Sequence, residues 1–292
     1  MFRAEMLKLR STRSPWVIGI VAVAGAALVQ ALTILMPRVL QGLDAFAAST
    51  GSAGPSADLM PELGALTDVG DATVQRGMLD LLGNGPSGTG SVGVVTLCLL
   101  ILGALAGTTD FRTGGIVPTA LVVPSRTRIL LGKATATAVA ALVIGVALAL
   151  VSALGLATAV LTAPGAELAV GADEILGIWA RGLGVLVAFT WLGLGIGVLV
   201  RGQVAAIVVV VALAFVEPMV QAIVALLSAG GSSAMSWLPL TIGALASAGQ
   251  GAGGMLGGTE TIGVAAALAG LAAWVAVVLG SGAVTFRRRD LL

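Results

Sequence analysis

The sequence predicts an all-α integral membrane protein with six transmembrane helices, and three observations carry that reading. Of 292 residues, 58% are hydrophobic and only 10% are charged, with a mean hydropathy of +1.07. Soluble domains carry about 25% charged residues, so a soluble enzyme is excluded. The apolar residues fall into runs long enough to cross a hydrocarbon layer about 30 Å thick. The 42 glycines, roughly twice the usual frequency, suit helix backbones that approach one another closely in lipid.

The spans follow in order. The first covers residues 16–36 and is closed by Pro37-Arg38. Its apolar run exceeds the ~7–15 residues of a signal-peptide core, so a spanning helix fits better than a cleaved leader. The others cover 90–108, 134–160, 181–200, 204–228 and 262–285, the fifth containing Glu217-Pro218. Basic residues near span ends set the orientation. Arg3, Lys8, Arg10, Arg13, Arg112, Arg126, Arg128, Lys133, Arg201, Arg287, Arg288 and Arg289 fall on one side, and only Arg38, Arg76 and Arg181 on the other. Both termini are therefore expected in the cytoplasm. The acidic loop 37–89 is placed outside, with a short helix around 72–82. The loop 229–260 is also external, and its apolar stretch around Trp237 to Ala248 is too short for a seventh span. A short external helix or a re-entrant segment fits it. The whole chain, 1–292, reads as one domain without tandem repeats.

Residues 1–13 place Phe2, Met6 and Leu9 on one helical face among Arg3, Lys8, Arg10 and Arg13. This is the pattern of an amphipathic helix lying in the headgroup layer against membrane lipids. The composition excludes several chemistries. There is no His and one Cys, Cys98, which rules out an intrachain disulfide, a His-based triad and a zinc cluster; no catalytic or metal-binding residue is expected. Gly249-Gln250-Gly251-Ala252-Gly253-Gly254 matches G-x-G-x-x-G by letter, but no strand–helix unit surrounds it. Gly132-Lys133 lacks the upstream glycine of a P-loop, because Thr127 stands there. The chain is expected to bind no nucleotide cofactor and no nucleic acid. Gly103/Gly107 and Gly193/Gly197 are G-x-x-x-G patterns that permit close helix crossings.

The most informative segment joins the second and third spans, from Asp110 to Lys133. It is basic and amphipathic, and Pro118 and Pro124 bracket a stretch long enough for one or two helical turns. Its Asp110, Phe111, Gly114, Ile116, Leu121, Pro124, Ser125, Arg126 and Lys133 resemble the first cytoplasmic loop of permease subunits of ATP-binding-cassette exporters of the type-2 class. Asp110 stands where that family more often has Glu, and Gly115 where it more often has Thr. Residues 5–14 and the terminal Arg287-Arg288-Arg289-Asp290 are similar to the ends of bacterial members. The shortage of lysine, with only Lys8 and Lys133 among 15 basic residues, fits a GC-rich bacterial genome.

The resemblance implies a half-transporter in the bacterial cytoplasmic membrane, with an interfacial N-terminal helix and a coupling helix in that loop. Asp110, Phe111, Arg112, Gly114, Ile116, Pro118, Leu121, Pro124 and Arg126 would form the surface that couples to the ATPase. The implied partners are a second permease copy and a separate ATPase subunit that holds ATP and Mg. The implied work is export, such as drug or antibiotic efflux, with the cargo unread. Two rival classes also account for the spans: an ion-coupled secondary transporter, which should show inverted repeats, and a non-transporting immunity or sensor component. Within the spans, Glu217 is the one deep acid. Arg181, at the start of the fourth span, is the expected partner for it across roughly 10 Å of depth, the alternatives being a protonated Glu217 bonded to backbone freed by Pro218 or a cargo-facing acid.

Overall fold

In a computed structural model of the chain, residues 2–50, 68–84, 93–112, 114, 125–163, 165–227, 233–248 and 262–288 are described. Among them every regular element is helical: α1 (Phe2–Ser11), α2 (Arg13–Thr50), α3 (Ala72–Leu79), α4 (Val94–Arg112), α5 (Arg126–Thr162), α6 (Ala172–Val200), α7 (Gln203–Leu227), a 3-10 turn (Ser233–Trp237), α8 (Pro239–Ala248) and α9 (Val264–Arg288). Six of these, α2, α4, α5, α6, α7 and α9, are long and apolar enough to cross a membrane.

Three boundaries differ from the expected ones. The first long helix does not close at Pro37 but runs 38 residues to Thr50. A proline removes one backbone donor, and the Leu- and Ala-rich residues after it propagate the helix regardless. The fourth long helix begins at Ala172, so Arg181 lies more than two turns inside it. The third begins at Arg126, eight positions before the uncharged run at Ala134. In each case the helix continues through polar residues that a hydropathy profile reads as loop.

The bundle is organised around α4 and α6. In their most apolar stretches 61% and 56% of residues are buried, against 17% for α2, α7 and α9, which marks them as the inner pair. The two glycine patterns explain how closely they pack. A Cβ on Gly103 would run into the Thr190 carbonyl, and one on Gly193 into that of Leu100. A Cβ on Gly107 would come within 2.9 Å of Leu194 O, and one on Gly197 within 2.5 Å of Ala104 O. The two G-x-x-x-G motifs thus face each other across one crossing, a small-residue contact of the kind that lets backbones touch. Around it gather Leu99, Leu100, Leu102, Leu186, Phe189 and Leu192. The remaining long helices surround this pair, α5, α7 and α9 all packing on α6.

Short elements close the two ends. At one end, α1 meets α5 and α2. Its last turn is capped by Thr12, whose backbone N–H and hydroxyl both donate to Lys8 O, and by the Trp16 indole donating to Arg10 O. The chain can therefore turn sharply into α2 without orphaned carbonyls. At the other end, α3 starts at Asp71, whose carboxylate accepts from Thr73 N at 2.6 Å. That bond holds the exposed Asp71 carboxyl below its ordinary pKa. The apolar segment after the fifth long helix forms the 3-10 turn and α8, which pack on α9 and α6.

Candidate functional site

The last turn of α4 carries Asp110 and Phe111 to the start of the inter-helix loop, and each anchors different neighbours. Asp110 is 2% exposed and lies between two lysines. Its Oδ1 is 2.7 Å from Lys8 Nζ on α1, and its Oδ2 is 2.6 Å from Lys133 Nζ on α5. Glu5 closes the set, 3.6 Å from Lys8 and 3.4 Å from Lys133. Lys133 also donates to the Ala106 carbonyl at 3.2 Å. Two acids and two bases balance, as buried charge requires. Burial alone would lower the Lys8 pKa, but the hydrogen bond to Asp110 and the nearby Glu5 carboxylate outweigh it and hold Lys8 above the ordinary lysine value.

Lys8 turns inward to Asp110, while Phe2 and Leu7 are exposed. The inward face of α1 is Glu5, Lys8 and Leu9, held by charge as much as by apolar contact.

Phe111 anchors two further helices. The Arg201 guanidinium lies 5.3 Å from its ring centroid, and the Phe286 ring meets it edge-on with centroids 6.2 Å apart. Both geometries are attractive for an aromatic quadrupole. Arg201 ends α6 in the left-handed region, φ 59°, a conformation that disfavours a residue with a Cβ by about 1–2 kcal/mol. Two consecutive residues at the mouth of the loop therefore tie α4 to α1, α5, α6 and α9. Both the N-terminal helix and the end of the last long helix meet at this one end of the bundle.

Of the other expected coupling residues, Arg112 is exposed at the end of α4 and Gly114 sits in a bend at φ 66° with open space around it. Ile116, Pro118, Leu121 and Pro124 lie outside the described residues, as does the side chain of Arg126. The glycine-rich match at 249–254 also lies outside them.

Glu217 and Arg181 are not brought together: among the described residues no ion pair joins them. Glu217 is 4% exposed, yet its carboxylate reaches the first turn of α8. It accepts from Leu240 N at 3.1 Å, Thr241 N at 2.7 Å and the Thr241 hydroxyl at 2.7 Å. The acid caps a helix in a distant part of the sequence, satisfying donors that every helix start leaves open. One signal for this was available: Leu238 precedes Pro239 at the start of α8 and has no side chain able to cap.

Sequence reasoning missed a second polar junction at the opposite end. The Gln75 amide, fully buried, donates to Val69 O and Glu167 O and accepts from Ala169 N. Arg76 pairs with Glu174 at 2.6 Å. Asp80, 5% exposed, accepts from Ser247 of α8 and from Leu82 N. Burial pushes its carboxyl above the usual pKa, against the opposing effect of those two hydrogen bonds. These contacts fasten α3 to the segment before α6 and to α8.

At the loop mouth Glu5, Lys8, Asp110 and Lys133 are paired with one another, while Arg112 has no ion-pair partner among the described residues. Compared with known proteins, the chain matches no family model, and no curated protein is significantly similar to it.

Proposed function

We propose that the chain is the permease subunit of an ATP-driven exporter of the type-2 ATP-binding-cassette class, seated in a bacterial cytoplasmic membrane with both termini inside. The observation that carries the reading is the junction at Asp110 and Phe111. A helix end whose last turn grips four other helices just before the loop suits the transmission of force from a partner into a helix bundle. The six long apolar helices supply the membrane body, and the basic residues near the α1 end of the bundle support its cytoplasmic placement.

In this reading the segment after Arg112 docks into a groove of a separate ATPase subunit, which binds ATP and Mg. Docking of a short helix relies on apolar anchors, and Ile116 and Leu121 are the candidates. Movement of the ATPase pushes the loop, and the junction passes the push to α1, α5, α6 and α9 as a rigid-body shift. A second permease copy completes the path. The long helices carry few charges, which favours an apolar or amphipathic cargo.

The test is ATP turnover by the permease–ATPase complex. Leu121→Asp, or deletion of residues 116–122, is expected to abolish association and stimulated turnover while leaving the permease folded. Burying even an uncharged polar group without a partner in an apolar groove costs roughly 2–7 kcal/mol, and a carboxylate costs more. Unchanged turnover in both variants would contradict the assignment.

A further inference from the structure

Between α1 and the adjoining ends of α2, α4, α5 and α7 lies a cleft of about 90 Å³. A water requires ~10–15 Å³ of such space, so the cleft holds a group several times larger. Its lining combines the apolar Leu9, Leu102 and Leu105 with the polar Ser14, Arg112 and Gln203 and with the charged Glu5, Lys8 and Lys133.

The charge balance of this cleft is specific. Lys8 and Lys133 are neutralised by Asp110 and Glu5. Arg112 has no ion-pair partner among the described residues, so the lining keeps one uncompensated positive charge. The Ser14 hydroxyl and the Gln203 amide likewise have no hydrogen-bond partner among the described residues, and both can donate. Three unused donors, one of them cationic, thus share a cleft with an apolar wall.

We infer that this cleft binds the phosphate of a singly charged amphiphile, a phosphodiester headgroup of the adjoining leaflet. Arg112 and the Gln203 and Ser14 donors take the phosphate oxygens, and the glycerol and first acyl carbons lie along Leu9, Leu102 and Leu105. Guanidinium is suited to phosphate through paired charge-assisted hydrogen bonds, and a single net charge matches one diester. The inference rests on the membrane-spanning reading; it is independent of the ATPase and of export.

The test uses the full chain alone in neutral detergent, titrated with dihexanoyl phosphatidylglycerol, dihexanoyl phosphatidylcholine or inorganic phosphate, with binding read by native mass spectrometry and thermal shift. Phosphatidylglycerol is expected to saturate one site, and phosphatidylcholine to bind more weakly because its choline opposes Arg112. Arg112→Gln is expected to weaken phosphatidylglycerol about tenfold or more, as loss of a charged hydrogen-bond partner does. Leu105→Trp, which keeps every charge but fills the apolar wall, is expected to block it with the fold retained. Equal affinity for the two lipids, or binding unaffected by both variants, overturns the proposal. Inorganic phosphate bound as tightly as phosphatidylglycerol overturns the lipid assignment and leaves a soluble phosphate site. Because no ATPase is present, these outcomes do not depend on the exporter reading.

Discussion

Asp110 occupies the position where a single atom-scale change has the widest reach. Its two oxygens hold one lysine on each of two different helices, α1 and α5. Removing one partner of a buried ion pair typically costs roughly 3–5 kcal/mol, because the other charge is stranded. Asp110→Asn is therefore expected to lower the melting temperature of the detergent-solubilised protein sharply, as is Lys133→Gln. The double variant leaves Glu5 and Lys8 as a balanced pair and should lose less than the sum of the single changes. Additive losses would show that Asp110 and Lys133 do not act as a unit. Glu217 gives the opposite expectation. Its partners are the Leu240 and Thr241 donors of α8, so Glu217→Ala orphans buried N–H groups at about 1–3 kcal/mol, while Glu217→Gln keeps an acceptor and loses less. Combined with Arg181→Gln, Glu217→Gln should be additive in thermal unfolding; a coupling above about 1 kcal/mol would restore the Glu217–Arg181 pair. The composition pointed to Glu217 as unusual because it is one acid in an apolar run. It could not name the partner, since α8 approaches only when the chain folds back.

At the scale of elements, the α4–α6 crossing sets how close the two central helices lie. Gly193 and Gly184 stand on the same helix, but a Cβ at Gly193 meets the Leu100 carbonyl whereas at Gly184 it meets nothing within 4 Å. Gly193→Val is expected to destabilise the protein by about 1–3 kcal/mol more than Gly184→Val through overpacking. Chemical or thermal unfolding of the two variants compares them directly, and equal losses would mean the crossing is not tight. The existence of six long apolar helices was legible because each carries a run that only lipid or a protein core can cover. The glycine patterns were visible too, though their mutual pairing was not, because many glycines make such spacings common. Helix ends were the least legible feature. The extensions of α2 past Pro37, of α5 back to Arg126 and of α6 back to Ala172 run through polar residues, and helices held by tertiary packing need no apolar sequence there. The short helix expected around 72–82 does form, as α3, because its inward residues Val74, Met78 and Leu79 are buried.

For the whole molecule, the two ends of the bundle are built differently. One end gathers α1, the loop mouth and the end of α9 around Asp110 and Phe111, while the other is fastened by Gln75, Asp80 and Glu217 through α3 and α8. The first end was partly legible: Asp110, Phe111 and Lys133 stood out in the loop. Glu5, Arg201 and Phe286 did not, because their roles depend on helix register across five separate segments. The second end was hidden because single polar residues such as Gln75 and Ser247 have no sequence pattern of their own. A force applied to the loop enters at the first end, and this is what the exporter proposal requires of the architecture. The most direct test is purification of the tagged chain from its native membrane with associated chains retained, followed by measurement of subunit stoichiometry and ATP hydrolysis. The account predicts an equimolar P-loop ATPase chain and ATP turnover that both disappear with Leu121→Asp. An intact, folded chain that carries no nucleotide-hydrolysing partner, or one whose partner is indifferent to Leu121→Asp, would contradict it.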